Sequence, residues 1–178
     1  ETESGGPGMR KGLKPDLFVR RISDIPPDYL DRHGIRGVII DLDNTIAPWD
    51  SEHLTDPYDA WLREKIQQKI PLILVSNSGE PRVRGFAEKL GVPYIRSASK
   101  PFRRAFLKAL EQLGTAREET VVIGDQIFTD VLGGNRLGLR TILVEPMAPK
   151  EYAGTKVLRA LERLIVGRKV TGEGFDRK

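Results

Sequence analysis

The amino-acid sequence predicts a doubly wound α/β domain, with a mainly parallel five-stranded sheet and helices on both faces. Three observations lead there. Short runs of aliphatic residues alternate with segments of helical period, the pattern of strands linked by crossover helices. Three of those runs end on polar residues: Asp41, Ser76 and the pair Gly124-Asp125. A chain of 178 residues is long enough for one sizeable core.

The elements follow in order. Gly37-Val38-Ile39-Ile40 is the first strand, ending at Asp41. Asp56-Pro57 opens a helix with Tyr58, Trp61, Leu62 and Ile66 on one side, and Pro71 closes it. Leu72-Ile73-Leu74-Val75 is the second strand. Val83, Phe86, Ala87 and Leu90 mark the next helix face, with Gly91 as its C-terminal cap. A short strand over 92–95 follows. Pro101 begins a helix with Phe102, Ala105, Phe106, Ala109, Leu110 and Leu113 at core spacing, and Gly114 ends it. Val121-Val122-Ile123 and Thr141-Ile142-Leu143-Val144 complete the sheet, and an amphipathic helix is expected over 152–166. Residues 1–8 are small, acidic and Gly-rich and read as a disordered or vector-derived tail, with Met9 as the expected natural start. Residues 9–170 form the expected single domain and 171–178 a flexible tail.

Composition excludes several classes. With no cysteine, disulfides, thiolate metal sites and cysteine-dependent catalysis are ruled out. No apolar run approaches the roughly 18 residues of a membrane span; the lack of cysteine is compatible with a reducing cytoplasm, the expected location. The net charge of +4 is modest but clustered. Arg10, Lys11, Lys14, Arg20 and Arg21 crowd one end; Lys156, Arg159, Arg163, Arg168 and Lys169 crowd the other. Such clusters suit anionic partners, and a solvated basic surface is the plainer reading of them. The aromatics fall mostly at helical core spacing, so nucleic acid is not the expected partner. His33 and His53 read as surface or loop residues.

Polar residues at strand ends carry the chemistry. In open parallel sheets ligands bind outside the carboxyl ends of the strands, where strand order reverses. Asp41 leaves the first strand, and Asp43, two residues on, can return to the same side. Two close carboxylates repel unless a cation is present or one holds a proton. That suits a division of labour: Asp41 attacks phosphorus, and Asp43 protonates the leaving oxygen and later activates water. Asp125, with Asp41, can hold Mg²⁺, a hard cation that prefers oxygen ligands. Asp130 falls in the first turn of the next helix, where it either complements the helix dipole or supports the metal site from behind. Ser76 and Asn77 follow a strand and precede a helix, a place where hydroxyl and N–H groups bind phosphate oxygens. Ser78 reads as the cap of that helix and is left outside the site. Lys100 precedes a helix start, an unfavourable place for a cation unless a phosphate and carboxylates lie nearby.

These residues together resemble the motifs of the haloacid dehalogenase-like (HAD) phosphatases. Asp41-Leu42-Asp43-Asn44-Thr45 looks like the first motif, Ser76 the second, Lys100 the third, and Gly124-Asp125 through Asp130 the fourth. The resemblance implies a Rossmann-like fold and a phosphoaspartate on Asp41, with Asp43 as general acid/base and Mg²⁺ as cofactor. The metal would be held by the Asp41 and Asp125 side chains and the Asp43 main-chain carbonyl. Thr45 would order the nucleophile loop, and Ser76 and Lys100 would bind the transferring phosphoryl group. Asp43 favours a phosphatase, because related ATPases carry Thr at that position and dehalogenases lack the acid. A receiver domain also combines an acidic pocket with Lys-Pro, but there Lys-Pro comes last, whereas here Gly124-Asp125 follows it.

About 30 residues separate the first and second motifs and about 20 the second from Lys100, too few for a separate cap domain of roughly 50 residues. The expected site is therefore open, guarded by a short flap near 46–54 with Trp49 as a wall. Capless members of subclass III take large substrates or are lidded by a neighbouring copy in a homo-oligomer, and both solutions stay open. A closer resemblance spans Leu13-Lys14-Pro15-Asp16, Gly34-Ile35-Arg36-Gly37, Val75-Ser76-Asn77-Ser78, Lys100-Pro101 and the run from Gly124 to Asn135. It points to the branch that includes phosphatidylglycerophosphate phosphatases, and so to an anionic phospholipid substrate and peripheral contact with the inner face of a membrane. The basic amphipathic pattern over 152–166 suits such contact, although covering the last strand is the plainer role for that helix. A soluble phosphate ester (nucleotide, sugar phosphate or phosphoprotein) is the alternative substrate, and a phosphate-binding scaffold the non-enzymatic alternative.

Overall fold

The aliphatic runs do form strands, and their order puts the polar ends together. The computed structural model describes residues 12–147. Among them are β1 (Leu17–Val19), β2 (Gly37–Ile40), β3 (Leu72–Val75), β4 (Tyr94–Ile95), β5 (Thr120–Gly124) and β6 (Arg140–Val144). All pairings are parallel, in the order β1-β6-β5-β2-β3-β4. The sequence predicted five strands; the sixth is β1, which pairs with β6 at the sheet edge. Three residues with an exposed Phe18 at their centre carry too little periodicity to read as a strand.

The central strands β2, β3 and β5 are buried throughout, so their runs are continuous rather than alternating. Successive side chains still point to opposite faces. Val38, Ile40, Leu72, Leu74, Val121 and Ile123 share one face, against α2 (Tyr58–Gln67) and α3 (Glu80–Leu90). Short helical segments at Ile22–Asp24 and Tyr29–Arg32 (α1) add Ile22, Tyr29 and Leu30 to the same layer. The opposite face carries Ile39, Ile73, Val75 and Val122, covered by Ala105, Phe106, Ala109 and Leu110 of α4 (Arg103–Leu113). Gly91 and Gly114 end α3 and α4 in the left-handed conformation, at φ 68° and 65°. After β5 a π-helical turn, Ile127–Val131, leads into α5 (Leu132–Asn135).

One residue departs from the helical reading. Phe102 was expected in the core, but α4 begins at Arg103 and Phe102 precedes it with extended dihedrals (φ −66°, ψ 139°). The 3.6-residue phase does not apply to it, and it is 68% exposed.

β2 is flanked by β3 on one side and β5 on the other. Chain order runs outward through β3 and β4, then returns to β5 on the opposite side of β2. The reversal lies between β2 and β5, where Asp41 and Asp125 emerge. The expected terminal helix over 152–166, the tails 1–8 and 171–178, and most of the two basic clusters lie outside the described residues.

Candidate active site

The carboxyl edge of the sheet holds a buried acidic cluster. Asp41, Asp125 and Asp130 each present a carboxylate oxygen within 4.8 Å of the others, and all three residues are buried. Asp41 is fixed by β2, since its N–H continues the ladder to the Ile123 carbonyl at 2.9 Å. Asp130 is brought back under β5 by the π-helical turn. Its N–H donates to the Gln126 carbonyl at 2.9 Å, and its Oδ2 accepts the Gln126 N–H at 3.2 Å. Gly124 makes room for it: a Cβ there would stand 2.2 Å from the Asp130 Cγ.

Lys100 compensates the cluster. Its Nζ lies 2.7 Å from Asp41 Oδ1 and 2.6 Å from Asp130 Oδ1, with all three side chains nearly inaccessible. Burial alone would favour a neutral amine, but the Asp130 and Asp41 charges outweigh it and hold Lys100 above its ordinary value. One ammonium does not balance three carboxylates. Burial raises Asp41 from 3.8 to about 6, with the Asp130 charge adding to the rise and Lys100 opposing it. Burial, then the Asp41 and Asp130 charges, push Asp125 well above the usual carboxylate range, again against Lys100. Such an excess of buried oxygen donors is what a hard divalent cation would satisfy. The donor set contains no sulfur or imidazole, so it fits Mg²⁺ better than a softer metal.

The nucleophile loop is tightly wound. The Leu42 carbonyl accepts N–H groups from Thr45, Ile46 and Ala47 at 3.1–3.3 Å, and Asn44 N–H donates to the Ala47 carbonyl at 2.7 Å. Asn44 takes φ 61°, a conformation that Asn tolerates better than most residues. Thr45, fully buried, donates its hydroxyl to Asp125 Oδ1 at 3.4 Å.

The Asp43 carboxylate stands apart from the three. Its Oδ1 accepts from Arg82 Nε at 2.7 Å and its Oδ2 from the Ser78 hydroxyl. Ser78 was expected to cap α3. Gly79 occupies the cap position instead, and the Ser78 hydroxyl is spent on Asp43. Arg82 was not singled out at all. It also donates to the Pro48 carbonyl at 2.6 Å and to the Ser51 carbonyl, and its guanidinium lies 5.1 Å from the Phe86 ring centroid. One side chain of α3 thus holds both Asp43 and the short loop after it. A signal was available: Arg82 is a cation in the first turn of a helix, the same mismatch with the dipole that marked Lys100.

Ser76 is fully buried, and its hydroxyl oxygen accepts the Ser78 N–H at 3.0 Å. Asn77 is exposed, and its Oδ1 accepts the Lys100 N–H at 2.9 Å, bracing the segment that carries Lys100. Ser97 N–H to the Ser78 carbonyl and Ala98 N–H to the Ser76 carbonyl lace the same two loops. The structure therefore gathers Asp41, Thr45, Lys100, Asp125 and Asp130 into direct contact. Asp43, Ser76 and Asn77 lie on the adjoining loops, with their polar atoms engaged as described.

Three comparisons bear on this arrangement. A family model described as HAD-hydrolase-like matches residues 97–146. The chain is 42% identical over 158 residues to the probable phosphatase YqeG of Bacillus subtilis, an alignment that covers 89% of this chain and 92% of that protein. It is 32% identical over 138 residues to the mitochondrial phosphatidylglycerophosphatase GEP4 of Saccharomyces cerevisiae, covering 70% of this chain and 74% of that one. Among solved structures, the cobalt-bound deoxy-D-mannose-octulosonate 8-phosphate phosphatase of Haemophilus influenzae shares the fold. Its TM-score is 0.50 at 15% identity, over 82% of this chain and 95% of that one.

Proposed function

This chain belongs to the HAD-like phosphatases, and from that premise we propose that it hydrolyses phosphatidylglycerophosphate to phosphatidylglycerol through a phosphoaspartate on Asp41. The observation that carries the chemistry is the buried contact of Asp41 with Lys100, beside Asp125, at the point where strand order reverses. A Mg²⁺ held by Asp41, Asp125 and the Asp43 main-chain carbonyl would neutralise phosphate charge and polarise the phosphorus–oxygen bonds.

The remaining roles belong to the chain. Asp41 supplies the attacking carboxylate oxygen, held by Lys100 and fixed at the end of a rigid strand. As the Asp41–phosphorus bond forms, the ester phosphorus–oxygen bond breaks and the leaving alkoxide takes a proton from Asp43. Asp43 then accepts a proton from water as that water attacks the phosphoaspartate, releasing inorganic phosphate and restoring Asp41. Thr45 steadies Asp125 through its hydroxyl. Asp130 supports the cluster from behind, fixing Lys100 against Asp41. Ser76, Asn77 and Lys100 surround the place where the phosphoryl oxygens bind.

Support for the lipid comes from GEP4, a relative named for phosphatidylglycerophosphate, and from the short connection over 41–57, which adds no cap over the site. The chain would then meet its substrate peripherally, since no helix among the described residues is long and apolar enough to cross a membrane.

The test is phosphate release with Mg²⁺ from phosphatidylglycerophosphate in mixed micelles, beside a panel of soluble esters. EDTA and Asp41→Asn serve as controls. Preference for the lipid is expected, with turnover lost in both controls while Asp41→Asn stays folded. Preference for a soluble ester would discard the lipid and keep the mechanism; full activity in a folded Asp41→Asn would sink the mechanism itself.

A further inference from the structure

Large apolar side chains exposed beside an active site call for a partner. Among the described residues the exposed large apolar side chains are Phe102 at 68%, Trp49 at 53%, Phe18 of edge strand β1 at 45% and Leu107 at 41%. Trp49 sits on the loop after β2 and Phe102 at the end of the loop after β4. Both loops leave the carboxyl edge of the sheet, the edge that carries Asp41 and Lys100. The Trp49 loop is tied to α3 through the Pro48, Ser51 and Glu52 carbonyls, whereas Phe102 leads into α4 on the other face of the sheet.

The charges around Phe102 have one sign. Arg103, Arg104, Leu107 and Lys108 share the outward arc of α4, while Ala105, Phe106, Ala109 and Leu110 face the sheet. Several surface arginines are matched internally: Arg21, Arg32, Arg63, Arg84 and Arg96 each pair with a carboxylate. Among the described residues none pairs with Arg103, Arg104 or Lys108. The acid on that arc, Glu111, is about 4.5 Å along the axis from Lys108 but about 10 to 12 Å from Arg104 and Arg103, which leaves the two arginines as the unmatched end of the arc. The first turn of α4 contains no acidic residue, so Arg103 and Arg104 oppose the helix dipole there.

Apolar side chains interleaved with unmatched cations match a bilayer of anionic lipid, whose surface attracts the charges and whose acyl boundary takes the rings. We propose that the outward face of α4, through Phe102, Arg103, Arg104, Leu107 and Lys108, is the surface by which this protein docks on anionic membranes. The start of that face, Phe102 and Arg103, stands at the carboxyl edge of the sheet, so the docked surface adjoins the edge that carries Asp41 and Lys100. This inference rests on the lipid reading of the site.

The test is flotation of the full chain with phosphatidylcholine vesicles, with and without 30% phosphatidylglycerol (roughly the anionic fraction that recruits basic surfaces). Arg103→Gln/Arg104→Gln and Phe102→Ser/Leu107→Ser are compared with the unaltered protein, and thermal unfolding checks that each is folded. A basic residue held at an anionic surface strengthens partitioning about fivefold, so the charge variant should lose roughly 20- to 30-fold. The apolar variant should lose at least about tenfold. Binding equal to the unaltered protein in both variants would assign the contact to another segment and overturn the proposal. So would failure of the unaltered protein to prefer anionic vesicles, or preferential binding of RNA. Phosphate release from a short-chain, monomeric phosphatidylglycerophosphate needs the site but no membrane. If that activity is intact while flotation fails, the docking face is wrong and the lipid reading stands. If flotation behaves as expected while only soluble esters are cleaved, the lipid reading is wrong and the docking face stands.

Discussion

Raising the pH from 4.5 to 7.5 in EDTA should destabilise this protein, opposite to the usual behaviour of folded-state carboxylates. Asp41 has a folded value raised from 3.8 to about 6, so between those limits the native state binds more protons than the unfolded chain. Stability therefore falls as pH rises through this window. The distance from 3.8 to about 6, at about 1.36 kcal/mol per pH unit, is worth about 3 kcal/mol in full, of which about 2 kcal/mol falls between pH 4.5 and 7.5. Asp125, raised in the same direction, adds to the slope. Denaturant unfolding at several pH values measures it, with Asp41→Asn as the comparison because an amide does not titrate and no longer repels Asp125. The variant should show a much flatter dependence. Mg²⁺ held by the ionised cluster as proposed should restore more stability at pH 7.5 than at 4.5; at 100 times its dissociation constant it would contribute about 2.7 kcal/mol. An equal slope in Asp41→Asn, or a Mg²⁺ effect independent of pH, would refute this account of the cluster.

Two further outcomes follow from particular contacts. Arg82→Gln frees Asp43 Oδ1 and the carbonyls of Pro48 and Ser51. If Asp43 is the general acid, turnover of alkyl phosphates should fall by roughly 10- to 100-fold, part of the 10²–10⁴ that acid–base catalysis supplies. p-Nitrophenyl phosphate, whose leaving group needs no proton, should be much less affected; equal losses would assign Arg82 a purely structural role. Gly124→Ala pushes a methyl group into the Asp130 carboxylate and should cost about 1–3 kcal/mol by overpacking. Its Mg²⁺-dependent rise in melting temperature should shrink as Asp130 and Lys100 shift, and an unchanged Mg²⁺ response would show that the cluster tolerates the displacement.

Much of the fold was legible because it depends on local chemistry. Central strands buried on both faces must be continuous aliphatic runs, and helices packed on one side must repeat near 3.6 residues. Those two periods fixed β2, β3, β5, β6, α2 and α3. The same logic exposed Asp41 and Asp125, since a charged residue closing an apolar run is costly unless it lies at the sheet's open edge. Edge strand β1 escaped notice because three half-exposed residues carry no period. Phe102 was misplaced because spacing assumes that a helix has already begun, and its start is set by the turn around Lys100 and Pro101.

The sequence by itself determined which side chains stand at strand ends, because that depends only on neighbours along the chain. Tertiary structure alone decided their partners. Lys100 reaches Asp41 and Asp130 across 59 and 30 residues, and Arg82 meets Asp43 across 39. Those pairings follow from the reversal of strand order between β2 and β5 and from the packing of α3 against one face of the sheet. A side chain's reach is a few ångströms, so which charges meet is a property of the folded surface.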